Sequence, residues 1–452
     1  MKKQHEKCYH LPIHTKERNY MKGLLKKLNE TKIFKGLNEN EFAWVLYDVG
    51  NSAFTMLSVS LIPIWFKSLA IGSNPGQISS DAATGMWALG TSIVTIIVAL
   101  IGPVCGALAD QKDRKKLFFS TAVFIGISGC IINGFATSWV LFLVIFIVVK
   151  IAYSASLTFY DSMLNDVTTE ERMDEVSSYG YAWGYIGSCI PFTVALISYV
   201  CGPDMLNLIP ASIAKFIAFT VTALWWLTVT LPLIKTYKQR NYVETKRNSI
   251  ASVFKQIFST VKKIFVSNKK VLLFLIAFFL YIDGVGTIID NCINIGTDLG
   301  LNTVGQVVFL LLTQVVACIG SLVFAKLSKK YDTVTLILAC IVGYFCVCLY
   351  ALTLKQLWQF GVMAFGVGCF QGSIQSLSRS YYSKIIPAEN SGEYFGIYDI
   401  FSKGASFLGS AVIAGVKFAG GTINLAVGLL TVFFALGFIF LKLADKQPKT
   451  IN

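Results

Sequence analysis

The chain has 452 residues, of which 54% are hydrophobic and only 14% are charged, and its mean hydropathy is +0.62. Soluble globular proteins carry about 25% charged residues, so this composition excludes a soluble domain and indicates a membrane protein. The formal net charge of +14 would suggest a nucleic-acid partner only if the basic residues were grouped on one binding surface, and their distribution along the chain shows another pattern.

Twelve apolar runs are each long enough to cross a bilayer, which takes about 20 residues of helix. Inside lipid the backbone polar groups must be satisfied within each segment, so we expect all twelve to be helices and the protein to be all-α. In chain order these spans 1 to 12 cover roughly residues 42–69, 84–108, 117–137, 139–160, 178–201, 210–234, 271–297, 303–325, 333–354, 357–378, 392–416 and 420–443.

The basic residues alternate with the spans. Of the 39 lysines and arginines, only Lys67, Lys355 and Lys417 lie in the odd-numbered connections, while the two tails and the even-numbered connections hold nearly all the others. Basic residues collect on the cytoplasmic side of membrane proteins, so we expect both termini in the cytoplasm. We expect the protein to lie in the plasma membrane of the cell. The distribution of the basic residues indicates the membrane topology, and no nucleic-acid partner is expected.

The segments outside the spans divide the chain. Residues 1–41 form a cytoplasmic tail, in which residues 21–28 have the pattern of a short helix on anionic lipid, and residues 444–452 form the second tail. Residues 235–270 form a basic linker with an amphipathic helix, which separates an N-terminal six-helix bundle, 42–234, from a C-terminal one, 271–443. The three histidines all lie in the first tail, so we expect no metal site and no cofactor.

The connection between spans 2 and 3 reads GPVCGALADQKDRKK from Gly102 to Lys116. It resembles the signature loop of the major facilitator superfamily, with Asp113 where that family usually has glycine. Weaker copies of this loop and of the motif around span 5 recur about 219 residues later. Two six-helix units in the same orientation predict a parallel repeat, and the resemblance implies a transporter fold.

In this architecture spans 1, 4, 7 and 10 line a central cavity. Each of these four spans has polar residues at spacings of three or four, whereas spans 3, 9 and 12 have no charge at their centres. The candidates for solute binding or ion coupling are Tyr47, Asp48, Asn51, Lys150, Ser154, Asp283, Asp290, Gln371, Gln375, Arg379 and Lys403.

Three of these charges, Lys150, Asp283 and Lys403, lie near the middle of their spans. An unpaired charge there costs at least about 2.5–3.5 kcal/mol, so each should pair or face water. A purely structural ion pair is the alternative to a solute site. Asp48, Asp283 and Asp290 are the candidates for proton coupling, and sodium coupling through Asp48, Asn51 and backbone carbonyls remains an alternative.

Charged residues near the cytoplasmic ends predict a gate. Asp110 should lie at the N-terminus of span 11, near Gly392, and Arg114 should pair with Asp161 or Asp166. Lys329 and Lys330 should contact Asp174 and Glu175. Ordinary solvated loop charge is the alternative for each pair. The candidate gating residues are Gly106, Asp110, Arg114, Asp161, Asp166 and Lys329.

Four further stretches resemble the autophagy-related vacuolar effluxer family and its bacterial relatives: residues 44–54, 159–166, 281–289 and 375–381. The resemblance covers residues 40–445 and implies twelve helices and efflux of neutral amino acids. Lys150 and Ser154 depart from the family pattern by adding a cation and losing a carboxylate. The change makes the expected cavity more positive and favours an anionic group on the solute. Tyr47, Asp48, Asn51, Asp283, Arg379 and Lys403 match motif positions.

The sequence therefore predicts a secondary transporter that moves a small organic solute, an amino acid or another carboxylate-bearing metabolite, by alternating access with protons. We expect it to work as a monomer in contact with membrane lipid. An intramembrane enzyme lacks the nucleophile–base set or metal cluster that it would need. A non-transporting sensor or a lipid-handling protein on the same fold is the remaining alternative.

Overall fold

The structure is a computed structural model. It describes residues 36–72, 75–203, 205–244, 250–404 and 407–449; within these ranges the side chains of residues 250, 293, 294, 297, 303, 304, 307, 403, 404 and 407 are not described. The expected surface helix at residues 21–28 lies outside the described residues.

The first six spans are long helices with a break in the first. Span 1 consists of Glu39–Val59 and Leu61–Ala70, and the next five are Ser80–Ala109, Lys115–Gly134, Trp139–Ser162, Met173–Val200 and Ala211–Thr236. A short helix, Leu164–Val167, and a 3-10 turn, Glu170–Arg172, connect spans 4 and 5.

The linker contains one helix, Ile250–Val266, and the second group of six spans follows it. Spans 7 to 10 are Lys269–Asp298, Thr303–Leu327, Thr333–Ala351 and Leu357–Ile385, and span 11 is described as Ser391–Gly404 and Phe407–Phe418 after a 3-10 turn, Ala388–Asn390. Span 12 consists of Ile423–Leu429 and Thr431–Asp445.

Among the described residues, ten stretches are long and apolar enough to cross a membrane on length and composition alone. Spans 10 and 11 fall outside this set. Span 10 is 29 residues long, but its inner turns carry Gln371, Gln375 and Arg379, which lower its hydropathy. Both spans pack into the bundle beside helices that do meet the criterion.

Each half has its own hydrophobic core. One cluster of buried residues runs from Leu37 to Tyr237, and a second runs from Ile264 to Ala444. The loops 110–114, 163–172, 328–332 and 386–390 lie with the linker at one end of the bundle, which we call the linker face; the other end is the opposite face.

The halves meet closely where span 2 crosses span 11. A Cβ atom on Gly106 would lie 2.0 Å from the carbonyl oxygen of Gly392, and one on Gly396 would lie 2.5 Å from Cα of Pro103. No real Cβ atom is found at such distances, so only glycine permits this approach. The loop that follows turns at Asp113, whose φ of 61° lies in the left-handed region. Aspartate is among the few residues that adopt it readily, which explains how this loop turns without glycine.

Candidate functional site

A cavity of ≈ 400 Å³ lies between the two halves. Its volume suits a small organic solute, since such sites measure about 300–1,000 Å³. Spans 1, 4, 5, 7, 8, 10 and 11 all contribute to its wall. The polar and aromatic lining residues are Asp48, Asn51, Ser52, Thr55, Tyr153, Asp161, Tyr181, Tyr185, Ser188, Phe278, Asp290, Gln314, Gln371, Gln375, Arg379, Tyr398, Asp399 and Ser402.

Arg379 of span 10 reaches from the second half into the first. Its Nη2 atom lies 3.2 Å from Oδ2 of Asp48 in span 1, and its Nη1 atom lies 3.0 Å from Oδ1 of Asp161 in span 4. Nε donates to Oγ of Ser177 at 2.9 Å, and Nη2 donates to the carbonyl oxygen of Ser177 at 3.1 Å. One guanidinium thus binds three spans of the other half. We call this group the Arg379 clamp.

Aromatic rings enclose the guanidinium of the clamp. Its carbon Cζ lies 4.5 Å from the ring centroid of Trp44, 4.7 Å from that of Tyr181 and 5.3 Å from that of Tyr160. A planar guanidinium can stack on rings while its edge donates to carboxylates. Removing one partner of such a buried pair costs about 3–5 kcal/mol, because the other charge is left uncompensated.

Seven of the predicted site residues line the cavity. Six come from the candidates for solute binding or coupling, and the seventh, Asp161, was expected at the gate. They are Asp48, Asn51, Asp161, Asp290, Gln371, Gln375 and Arg379. Helical spacing therefore identified the inward faces of spans 1 and 10 from sequence.

Three other candidates have their side chains turned elsewhere. Tyr47 is buried within the first half, with its hydroxyl 2.6 Å from that of Ser156. Ser154 is buried in span 4, also away from the lining. Asp283 is buried against span 11, where its Oδ2 accepts from the N–H of Gly409 at 2.9 Å. The expectation that these three line the cavity is wrong.

Lys150 lies just behind the cavity wall. Its Nζ atom donates to Oγ of Ser58 at 3.1 Å and lies 5.2 Å from the ring centroid of Tyr153, which does line the cavity. The expectation that Lys150 forms part of the lining is therefore wrong. The side chain of Lys403 belongs to the part of the chain that the structure does not describe.

The cavity lining is more acidic than the sequence suggested. Four aspartates and one arginine line it, and the arginine is engaged by Asp48 and Asp161. The expectation of a positive cavity is therefore wrong for the described lining. Lys150 adds its charge behind the wall rather than on it, because it packs against Ser58 and Tyr153.

Four tyrosines on the lining were missed by the sequence argument: Tyr153, Tyr181, Tyr185 and Tyr398. Tyrosine has both an apolar ring and a polar hydroxyl, so a search for polar residues in apolar spans passes over it. A usable signal was present, since Tyr181 and Tyr185 are one helical turn apart. Asp399 also lines the cavity, and it accepts a hydrogen bond from the hydroxyl of Thr158 across the two halves.

At the linker face, Asp110 caps span 11 as predicted. Its Oδ1 accepts from the N–H of Gly392 at 2.8 Å, and its Oδ2 accepts from the N–H of Glu393 at 2.9 Å. Both N–H groups belong to the first turn of a helix and have no acceptor within it, and a helix N-terminus favours a negative charge. Lys115 completes the contact, with Nζ 3.5 Å from Asp110 and 2.8 Å from Oγ of Ser391. The contact joins the two halves.

The expected pairing of Arg114 is wrong. Arg114 is exposed at the start of span 3, Asp161 binds Arg379, and Asp166 lies 3.7 Å from Nζ of Lys115. The residue next in sequence therefore makes the predicted bridge, because it faces the bundle where Arg114 faces out.

The first residues of the linker, 237–243, run back over this contact, and we call them the strap. Asp166 accepts from the hydroxyl of Tyr237 and from the N–H groups of Arg240, at 3.1 Å, and Asn241, at 2.8 Å. The N–H of Val243 donates to the carbonyl oxygen of Asp110 at 2.8 Å. The strap thus fixes Asp166, which in turn holds Lys115.

The electrostatics of this buried contact come from burial and from its donors. Burial raises the pKa of Asp110, although the ammonium of Lys115 and the N–H groups of Glu393 and Gly392 oppose the rise. Burial also raises the pKa of Tyr237, and the adjacent Asp166 raises it further. Tyr237 therefore stays protonated and acts as a donor to Asp166.

A second group of polar contacts joins the halves between spans 5 and 10. Asp174 accepts from Nζ of Lys384 at 2.7 Å and from the hydroxyls of Thr333, at 2.6 Å, and Ser380, at 2.5 Å. Lys329 pairs with Glu175 at 2.8 Å, as expected. The predicted contact to Asp174 is wrong in its partner, because Lys384 of span 10 takes that place.

No group of three or more histidine, cysteine, aspartate or glutamate residues in the described ranges is placed to hold a metal ion. The cavity is lined by side-chain charges, amides and rings, and the Arg379 clamp forms its floor.

Comparisons with known proteins agree with this architecture. The family model "Vacuole effluxer Atg22 like" matches residues 77–451. A protein of Bacillus subtilis named "Uncharacterized MFS-type transporter YxiO" is 35% identical over 421 residues, which cover 92% of this chain and 97% of that protein. "Autophagy-related protein 22-1" of Sclerotinia sclerotiorum is 28% identical over 304 residues, covering 60% of this chain and 50% of that longer protein.

Solved structures show the same fold. The transporter FucP, in the outward conformation, superposes with a TM-score of 0.69 at 15% identity, covering 90% of this chain and 98% of that one. The human organic anion transporter MFSD10 superposes with a TM-score of 0.65 at 14% identity, covering 89% of this chain and 99% of that one. Sequence identities this low support a shared fold and nothing beyond it.

Proposed function

The chain belongs to the Atg22-like family of major facilitator transporters, and from that premise we propose that it carries a small solute across the membrane by alternating access, coupled to protons. The observation that carries the proposal is the Arg379 clamp. One side chain both lines the central cavity and joins the two halves of the protein. Solute in the cavity and closure of the linker face therefore act on the same group.

The positions of the contacts between the halves support a conformation closed at the linker face. The Arg379 clamp, the cap of Asp110 on span 11 and the Asp174 group all lie between the cavity and that face. Val59, on the cavity wall towards the opposite face, is 65% exposed. We infer a cavity open to the opposite face, as the outward conformation of an alternating-access cycle requires.

Proton coupling fits the imbalance of charge in the clamp. Two carboxylates, Asp48 and Asp161, share one guanidinium, while Asp399 also lies on the lining. A proton on one carboxylate would remove an ion pair and leave Arg379 with the other. We propose that this loosens the floor of the cavity and lets the halves rock. Sodium coupling through Asp48 and Asn51 is the alternative.

The lining favours an amino acid as the solute. Carboxylates recognise an ammonium group, tyrosine rings pack against a side chain or a cation, and the amides of Gln371 and Gln375 offer neutral donors and acceptors for a carboxylate. A solute with an ammonium group suits this wall better than a simple anion does. We further propose that the linker face is cytoplasmic, since basic residues dominate that face, and that the protein lies in the plasma membrane.

The test is transport into proteoliposomes with a pH gradient, using a mixture of radiolabelled amino acids and then each one singly. The wild-type protein should accumulate at least one amino acid when the gradient is present. Asp161→Asn should keep exchange of that solute across the bilayer and lose gradient-driven accumulation. Asp81→Asn, an exposed position at the start of span 2, is the matched control and should behave as wild type.

Each outcome addresses a separate part of the proposal. If folded wild-type protein neither accumulates nor exchanges any amino acid, the proposal that the solute is an amino acid is wrong. Accumulation driven by a sodium gradient instead of a pH gradient would show that the coupling ion is sodium and not the proton. Undiminished pH-driven accumulation by Asp161→Asn would remove the clamp from the coupling step.

A further inference from the structure

The helix Ile250–Val266 of the linker has three distinct faces. An α-helix turns by roughly 100° per residue, so its buried residues Val253, Thr260 and Ile264 fall within about 40° of one another. This face packs on spans 2 and 7. The residues named below on the other two faces are exposed.

The second face is apolar and exposed. Phe254, Phe258 and Phe265 are 57%, 74% and 60% exposed, and by the same geometry they also fall within about 40° of one another. Large apolar side chains aligned in this way are unfavourable in water, and a group of them marks a surface that meets another apolar phase.

The third face is polar and basic. Lys255 and Lys262 lie directly beside the phenylalanine stripe, and Ser252 and Ser259 follow further round; all four are exposed. A helix with an apolar stripe bordered by lysines is the pattern of helices that lie in the plane of a membrane surface, with the stripe in the acyl region and the lysines at the headgroups.

The neighbours of this helix place it beside lipid. It contacts span 2, whose side chains Leu100 and Ile101, in the half nearer the linker face, are exposed on the outside of the bundle. Those side chains belong to the lipid-facing surface of a spanning helix. The linker helix therefore packs against a span whose exposed side chains near the linker face are apolar.

We propose that the linker helix lies in the membrane surface, with Phe254, Phe258 and Phe265 inserted among the lipid chains and Lys255 and Lys262 bound to anionic headgroups. The occupant of the exposed stripe is lipid rather than a protein partner. This inference does not depend on the solute or on the coupling ion of the proposed function.

The test uses the full-length protein with an environment-sensitive fluorescent amino acid incorporated at position 258, and at position 259 as the matched control one residue round the helix. The proteins are reconstituted in phosphatidylcholine vesicles with and without phosphatidylglycerol. Lipids brominated on their acyl chains serve as the quencher. Circular dichroism and the melting temperature establish that each protein is folded.

Emission from position 258 should be blue-shifted, and brominated lipids should quench it several-fold more than emission from position 259. Equal, water-like emission from both positions in vesicles without other proteins would overturn the insertion and favour a protein partner for the stripe. Phosphatidylglycerol should increase quenching at position 258, and the double substitution Lys255→Gln, Lys262→Gln should abolish that increase. An increase unchanged in the double variant would overturn the assignment of the headgroup contact.

Discussion

Among single residues, Gly106 gives the sharpest steric test of closure. A Cβ at this position would lie 2.0 Å from the backbone oxygen of Gly392 in the other half, and backbone cannot move aside as a flexible side chain can. Gly106→Ala should therefore keep each half folded and prevent the linker face from closing, so transport should fall at least tenfold, which corresponds to about 1.4 kcal/mol. Uptake in proteoliposomes measures the effect.

The same helix supplies the control for that substitution. Nothing lies within 4 Å of a Cβ built on Gly85 of span 2, so Gly85→Ala should leave uptake unchanged and slightly favour the helix, by up to about 1 kcal/mol. If Gly106→Ala transports like wild type, the contact between spans 2 and 11 is not required to close in the cycle.

Two neighbouring ion pairs should differ strongly in their contribution to stability. Asp174 is buried and accepts from Lys384, Thr333 and Ser380, whereas the pair of Lys329 with Glu175 has a lysine that is 60% exposed. Exposed pairs contribute about 0–1 kcal/mol, and loss of one partner of a buried pair costs about 3–5 kcal/mol. Asp174→Ala should lower the melting temperature clearly and Lys329→Ala hardly at all, as thermal unfolding in detergent would show; equal shifts would contradict this ranking.

At the scale of elements, the strap connects the linker to the contact between the halves. Asn241 donates to Asp166 through its N–H and its side chain, and Asp166 holds Lys115. Asn241→Ala removes one of these donors, which is worth about 1.5–3 kcal/mol when the acceptor is charged. We expect the linker face to open more often, so that a thiol-reactive reagent reaches Ser391→Cys faster in the variant.

The neighbour of Asn241 provides the comparison. Tyr242 lies with its ring 5.5 Å from Nζ of Lys112, and Tyr242→Phe retains the ring and that contact. It should leave the rate of modification at Ser391→Cys unchanged. Equal rates in the Asn241→Ala variant and wild type would mean that the strap only rests on the gate without holding it closed.

For the whole molecule, the conformation predicts which end of the cavity is accessible. Val59 lines the cavity and is exposed, whereas Ser391 is fully buried at the linker face. In vesicles of known orientation, a membrane-impermeant maleimide added at the opposite face should label Val59→Cys, and the reagent added at the linker face should not. The unsubstituted protein gives the background of its own cysteines. Labelling of Val59→Cys from the linker face would show that the cavity opens the other way.

The sequence predicts the features that depend on local residue patterns, and it does not predict the contacts that depend on how the helices pack. The twelve helices follow from composition, and the Asp110 contact follows from the preference of a helix N-terminus for a negative charge. The direction of Asp283 does not follow, because spacing defines a face of span 7 but not how far the helix is rotated about its axis. Asp283 accepts from the N–H of Gly409 in span 11, and this contact is set only by the packing of the two spans.

The choice among the basic residues at 112–116 has the same origin. The sequence shows a cluster of charges, and only the packed bundle shows that Lys115 points inward while Arg114 points out. The sequence predicts Arg379 as a cavity residue, but it does not predict which residues Arg379 binds. They lie on three spans whose relative heights no single sequence determines.

The strap also decides where the two halves can be separated. Residues 237–243 are bound to the first half by Asp166 and Asp110, although they follow span 6 and lead towards the second. A gene divided before position 237 would take these residues away from the half they stabilise, whereas one divided after position 244 would leave them with it. Co-expressed fragments of the second kind should therefore associate into an active transporter more readily than fragments of the first kind.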